Sequence, residues 1–311
     1  MTRAFVFPGQ ASQQVGMGQS LAEAFPVARQ VFEEVDDTLD QHLTKLMFEG
    51  PESDLILTEN AQPAIMAVSV AAYRVLKNEA GINLPDVARF VAGHSLGEYS
   101  ALAVAATFSL ADAARLLKTR GQAMQKAVPV GEGAMAALLG LELDDAGAIA
   151  AEAGGICVVA NDNAPGQIVI SGETEAVERA VAIAAERGGK RSIMLPVSAP
   201  FHCPMMAPAA DTMASALADV VMAPPSVPLI ANVTASTVEG PDEIRKLLIE
   251  QVTARVRWRE SVLKMKEEGI ETLVEIGAGK VLSGMTRRID RDLKSANIGA
   301  PEDIEAFVKT L

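Results

Sequence analysis

Apolar residues in this chain fall in short blocks, and the spacing inside each block sets the element it predicts. Ala4-Phe5-Val6-Phe7 is a continuous apolar run that stops at Pro8-Gly9, the pattern of a buried strand, and Gln10 to Gly18 is a glycine- and glutamine-rich loop. A helical region follows, and apolar positions at helical spacing from Ala61 to Val75 predict a long helix. Ala88 to Val91 predicts a short strand running into Gly93-His94-Ser95-Leu96-Gly97, with helices over Tyr99 to Ala106 and Leu110 to Lys126. A strand, a glycine-flanked serine and a helix in that order is the context of a nucleophile elbow.

The pattern changes at Pro129-Val130-Gly131-Glu132-Gly133, which marks a domain boundary. Beyond it the spacing predicts strand Ala134–Leu139, helix Leu143–Ala153, strand Cys157–Ala160, a turn at Asn163-Ala164-Pro165-Gly166, strand Gln167–Ser171, helix Glu173–Arg187 and strand Ser192–Leu195. This β-α-β-β-α-β order is that of a small ferredoxin-like unit. The chain then returns through Val197 to His202. It continues with a helix near Met206–Val220, a strand at Leu229–Val233, helices around Pro241–Val252 and Val256–Glu268, strand Thr272–Ile276 and a closing helix from Val281. The expected organisation is a large α/β domain of residues 1–128 and 198–311 interrupted by an inserted subdomain of residues 129–197, with the active site in the cleft between them.

With 311 residues, 49% hydrophobic and 22% charged, the chain has enough apolar surface for a full core. A formal net charge of −13 argues against nucleic acid and against an anionic membrane as partners, because both need a dominant basic surface. No apolar stretch is long enough to span a bilayer, and the apolar run at the start is too short for a signal segment. Cys157 and Cys203 are the only cysteines, too few for a disulfide framework, so both are expected as thiols in a cytoplasmic protein. Three dispersed histidines and two distant cysteines supply no metal-ligand spacing, so no metal and no cofactor are expected.

A serine hydroxyl needs a base within hydrogen-bond reach, which makes the three histidines decisive for Ser95. His42 lies in a polar helical stretch. His94 neighbours the serine, where adjacent side chains on a sharp turn point apart. His202, on the loop where the chain leaves the inserted unit, is the candidate base, against a purely structural loop histidine. Arg120 shares a helix face with Ala113, Leu116, Leu117, Ala123, Met124 and Ala127, so its charge points inward. A guanidinium there needs an anion, and two readings stay open: a protein carboxylate or one brought by the substrate. The thiol of Cys203 beside His202 reads as a small apolar filler, and the Gly277-Ala278-Gly279-Lys280 loop as a strand-to-helix turn that also has the form of an anion site.

Six segments together resemble one family. They are Phe7 to Gln13, Gly93 to Gly97, Arg120-Gly121, Asn163 to Gln167, Phe201-His202 and Glu275 to Lys280, in family order over nearly the whole chain. The chain is similar to the malonyl-CoA:acyl carrier protein transacylases of bacterial fatty-acid synthesis. The resemblance implies a large α/β-hydrolase-like domain with a parallel sheet plus the small inserted ferredoxin-like domain. It implies malonyl-CoA and holo acyl carrier protein as partners of a monomer. Ser95 would carry the malonyl group, His202 would act as base, and Arg120 would bind the malonyl carboxylate. The main-chain N–H groups of Gln10 and Leu96 would form the oxyanion hole, and a main-chain carbonyl near Gln251 would orient the histidine. Phe201 would exclude an α-methyl group. Carrier-protein docking would use cationic pairs such as Lys190-Arg191 or Arg287-Arg288. Two positions depart from the family pattern: Ala11 stands where glycine is expected and Ala278 where proline is expected. The methyl of Ala11 is tolerable unless that position has positive φ. A serine esterase or thioesterase of α/β-hydrolase type and a non-catalytic carrier-protein-binding scaffold are the competing readings.

Overall fold

The computed structural model describes residues 2–197 and 199–311, and the expected boundary at Ser198 lies outside them. Ten strands run along the described residues. They are β1 (Arg3–Phe7), β2 (Phe90–Gly93), β3 (Gly133–Leu139), β4 (Cys157–Ala164), β5 (Gln167–Glu173), β6 (Arg191–Met194), β7 (Leu229–Ile230), β8 (Thr237–Val238), β9 (Thr272–Ile276) and β10 (Lys294–Ile298). The first sheet has the order β10-β9-β1-β2-β7-β8 and is parallel except for β8, which pairs antiparallel with β7. The fold is therefore mixed α/β with a parallel sheet. Alternate residues serve opposite faces: Phe5, Phe7, Val91, Val274 and Ile276 join one apolar cluster, whereas Ala4, Val6, Phe90, Ala92 and Leu273 join another around Trp258. Burial on both faces explains why β1 and β2 read as unbroken apolar runs; β9 is buried likewise but carries Thr272 and Glu275.

The second sheet is antiparallel with the order β4-β5-β3-β6. Helices Leu143–Glu152 and Thr174–Glu186 follow β3 and β5 and bury Ala146, Ile149, Ala176, Val177 and Ala180 in its own apolar cluster. The β4–β5 hairpin is tighter than the predicted turn, because Asn163 and Ala164 belong to β4 and only Pro165-Gly166 connects the strands. β4 is tied to the helix Trp258–Glu267 and the segment before it. The Asp162 N–H donates to Val256 O at 3.0 Å and the Val256 N–H to Ala160 O at 2.8 Å. Arg259 also pairs with the fully buried Asp162 at 3.0 Å.

Three further expectations differ. β2 lies two residues later than the predicted Ala88–Val91, because its partner β1 pairs Ala4 with Phe90 and continues to Phe7 with Gly93. The Leu229–Val233 strand shortens to Leu229–Ile230, since the chain turns at Ala235 (φ 50°) and carries Asn232 toward the serine loop. β10 and the helix Pro301–Val308 follow the helix Val281–Ile289 that was expected to close the body. β10 reads Lys-Ser-Ala-Asn-Ile; as an edge strand it is held by main-chain pairing to β9 and needs no apolar alternation.

Candidate active site

Gln10, Ser95 and the Gly277–Gly279 turn all follow the carboxyl ends of central parallel strands, where crevices form in open α/β sheets. Ser95 stands between β2 and the helix Gly97–Val104 with φ 54°, in the left-handed region that an elbow imposes. The turn closes because residue 97 has no side chain: a Cβ there would stand 2.2 Å from Phe7 O. That contact brings the loop after β1, with Gln10, against the loop carrying Ser95. Asn232 holds the elbow from below, accepting the Ser95 N–H at 2.8 Å and donating its amide to Gly93 O at 2.6 Å.

His202 reaches Ser95 from the other side, with Nε2 2.8 Å from Oγ. Its Nδ1 lies 2.8 Å from the main-chain oxygen of Gln251, which can only accept, so Nδ1 carries the proton and Nε2 is free to take the serine proton. His202 is itself at φ 57° and buried. Burial, and behind it the charge of Arg120, pushes its pKa down to about 3. The imidazole is therefore neutral at physiological pH, as an acceptor must be. His94 turns away: its Nε2 meets Asn163 Oδ1 of β4 at 2.8 Å and its ring lies 5.7 Å from that of Trp258, so it braces the elbow against the second sheet.

Arg120 extends from the helix Leu110–Ala127 and is 1% exposed. The next residue is Gly121, where a Cβ would stand 2.5 Å from Glu59 Cα; its absence lets this helix approach Thr58–Ala80 and brings Arg120 to Gln62. Nη1 donates to Gln62 Oε1 at 2.7 Å, and Nη2 to Gln251 Oε1 at 2.9 Å and to Ser95 Oγ at 3.1 Å. Nε has no partner among the described residues, and none of the hydrogen-bond acceptors is a carboxylate. Of the two sequence readings, the structural ion pair is absent here.

Gln251 links both sides through its main-chain carbonyl to His202, its Oε1 to Arg120, and its Nε2 to Ser95 O at 3.0 Å and to the Glu98 carboxylate. The N–H groups of Gln10 and Leu96 donate to no acceptor among the described residues, while the Gln10 side chain is anchored by Thr58 Oγ1 at 2.8 Å. Ala11 has φ 80°, so the condition attached to that departure is met: an alanine occupies a conformation that glycine adopts freely. The Gly277–Lys280 turn holds no anion site, because Glu275 already accepts the N–H groups of Leu282 at 3.0 Å and Ser283 at 2.8 Å. Cys157 and Cys203 are buried thiols, and Cys203 donates to Pro200 O. Among the described residues no group of histidine, cysteine, aspartate or glutamate is arranged to hold a metal ion, and no helix is long and apolar enough to cross a membrane.

Three residues of this network had no role assigned from sequence: Gln62, Glu98 and Asn232. Gln62 and Glu98 carry the signal that exposed Arg120, a polar side chain on an otherwise apolar helical stretch. Asn232 carries none, because it lies in a turn.

A half-buried serine hydrogen-bonded to a buried histidine at the strand ends of an α/β sheet defines an acyl-transfer class of protein. In agreement, the family profile for the acyl transferase domain matches residues 4–304. Among characterised relatives, the malonyl CoA-acyl carrier protein transacylase of Bacillus subtilis is 46% identical over 311 residues, covering 99% of this chain and 96% of that protein. The crystal structure of an acyl-carrier-protein S-malonyltransferase from Bartonella henselae superposes with a TM-score of 0.98 at 54% identity, over 100% of this chain and 99% of that one. A malonyl-transacylase solved in complex with its holo type II PKS acyl-carrier protein superposes with a TM-score of 0.96 at 41% identity, over 100% of both chains. The chain belongs to the malonyl CoA-acyl carrier protein transacylase family.

Proposed function

We propose that this chain transfers the malonyl group of malonyl-CoA to the phosphopantetheine thiol of acyl carrier protein through a malonyl ester on Ser95. The observation that carries the proposal is the position of Ser95 Oγ, 2.8 Å from His202 Nε2 and 3.1 Å from Arg120 Nη2. A base and a carboxylate receptor meet at one nucleophile. In the first half-reaction His202 takes the Ser95 proton as Oγ attacks the thioester carbonyl, and the N–H groups of Gln10 and Leu96 receive the oxyanion. Collapse breaks the C–S bond as His202 hands the proton to the departing sulfur, so coenzyme A leaves as its thiol and the imidazole is neutral again. The second half-reaction runs the same steps in reverse with the carrier-protein thiol as nucleophile. The malonyl carboxylate replaces Ser95 Oγ as a partner of Arg120 Nη2 and reaches the unpaired Nε, matching the planar fork. Its charge also offsets that of Arg120, which after burial is the largest influence depressing His202, so the base strengthens when the correct substrate is bound.

The finer organisation belongs to the same reading. Residues 1–128 and 198–311 form an α/β-hydrolase-like catalytic domain, and residues 129–197 an inserted ferredoxin-like subdomain; its strand order β4-β5-β3-β6 supports the latter. The protein is read as a cytoplasmic monomer. Exposed Lys190-Arg191 and Arg287-Arg288 offer cationic surface to an acidic carrier protein.

Intact mass after incubation with malonyl-CoA alone tests the proposal. A malonyl adduct is expected on the wild type and none on Ser95→Ala, and holo carrier protein should discharge it. No adduct would leave the scaffold reading, and an adduct lost to water regardless of carrier protein would leave the esterase reading.

A further inference from the structure

Glu98 is a carboxylate buried at the heart of the site to which the transfer steps give no task. It lies in the first turn of the helix after Ser95, is 1% exposed, and has no cationic partner at ion-pair distance among the described residues. One oxygen accepts the Asn232 N–H at 3.2 Å and the other accepts the Gln251 amide. That amide presents its own Oε1 to Arg120 at 2.9 Å. Carboxylate, amide and guanidinium thus form a line in which the negative charge reaches the positive one through a neutral side chain. A direct carboxylate on Arg120 would compete with the substrate for the guanidinium, and no countercharge at all would leave an isolated buried cation.

We propose that Glu98 is the exchangeable countercharge of Arg120: partly ionised at neutral pH while the site is empty, it takes up a further share of a proton from solvent when the malonyl carboxylate docks on the guanidinium. This rests on the malonyl-Ser95 reading above. Burial raises the Glu98 pKa to about 7, opposed by its hydrogen bonds to Asn232 and Gln251 and by the charge of Arg120. A malonyl carboxylate on Arg120 cancels the last of these, so the pKa moves further up and the protonated fraction grows. The groups facing Glu98 make it the one poised to respond. From its own helix comes Tyr99, with its pKa pushed up to about 12 and therefore neutral, and from the helix Leu110–Ala127 comes Arg120, permanently charged. The loop after β7 brings Asn232, the end of the helix Pro241–Gln251 brings Gln251, and His202 beyond it is neutral. The chemistry balances without Glu98, because the Ser95 proton ends on the coenzyme A thiol. Any further proton taken from solvent is therefore a separate event, carboxylate plus proton giving carboxylic acid.

The test is a proton count in weakly buffered solution with an indicator dye as the enzyme is malonylated, with the adduct measured by intact mass in the same sample. At pH 7, where a group of pKa about 7 is half-ionised, uptake is expected to reach about half a proton per malonyl-enzyme, and to vanish at pH 5 where Glu98 is already protonated. Glu98→Gln, counted per malonyl-enzyme actually formed and whatever its rate, should show no uptake, and acylation by acetyl-CoA, which brings no carboxylate, should show none in the wild type. Full malonylation with no uptake at pH 7 would overturn the proposal while leaving the transfer reading intact. Uptake that persists at pH 5 would overturn it too, because that pattern belongs to His202 rising from about 3. No malonyl adduct at all would remove the transfer reading and this proposal with it. Should Glu98→Gln fail to fold, the wild-type count at the two pH values decides alone.

Discussion

The two halves of the site are built differently. Ser95 and His202 sit on loops in left-handed backbone, at φ 54° and 57°, and are held mainly through main-chain atoms: the Ser95 N–H and carbonyl bond to Asn232 and Gln251, and His202 bonds to the Gln251 carbonyl. Gln62, Arg120 and Glu98 lie on helices in ordinary geometry and are held by one another's side chains or by Gln251. In the first half the backbone sets the geometry, so a side chain can be removed with its chemistry while the frame stays. In the second the side chains are the frame, and losing one leaves buried polar partners unpaired.

The largest expected effect comes from the loop half. His202→Ala should slow malonylation of Ser95 by about 10²- to 10⁴-fold, measured by single-turnover mass kinetics, with the fold retained. Its pH signature sharpens the contrast. A histidine held at about 3 against an ordinary value of 6.5 lets the unfolded chain bind the proton first, so wild-type stability is lost as pH falls through 6.5 and levels off near 3. His202→Ala lacks this loss, so the wild type should gain on the variant by on the order of 2 kcal/mol between pH 5 and 6.5 in denaturant titrations. An equal pH dependence in both proteins would mean that the imidazole is not held neutral by burial.

The same division decides what could be read from the residues alone. Ser95 and His202 were legible because a left-handed elbow needs small flanking residues, which leave the Gly93 to Gly97 motif, and because only three histidines were available. Arg120 was legible as a charge on an apolar helix face. Its partners were not: Gln62 is 58 positions away in sequence and Gln251 is 131, and such pairings appear only once Gly121 has let two helices close. In the fold, the strands buried on both faces announced themselves, whereas β10 did not, because its stability comes from pairing with β9.

The second effect probes the helical half. Arg120→Met fills similar volume without charge and should lower malonylation by about 10- to 100-fold, the scale of one or two charge-assisted hydrogen bonds, while acetyl transfer is spared. Because Gln62 Oε1 and Gln251 Oε1 each lose a donor, the variant should also lose about 1–3 kcal/mol of stability in denaturant titrations. His202→Ala should not approach that loss at neutral pH. A kinetic defect in Arg120→Met without a stability cost would break the distinction between the halves.

The smallest effect tests whether backbone strain in the loop after β1 is functional. Ala11 follows Gln10 at φ 80° and its N–H is tied to Gln13 Oε1 at 2.8 Å. An alanine held in the left-handed region costs about 1–2 kcal/mol, whereas glycine there costs little in the fold but about 0.5–1 kcal/mol in unfolded-chain entropy. The balance favours Ala11→Gly by about 0–1.5 kcal/mol, read as a small upward shift of the denaturation midpoint with an unchanged slope. Since the Ala11 methyl takes no part in aiming the Gln10 N–H, malonylation should stay within about twofold of wild type, well under the tenfold that 1.4 kcal/mol would give. A stabilised but markedly slower Ala11→Gly would show that the methyl holds Gln10 in register, making this strain part of the loop half's rigid frame.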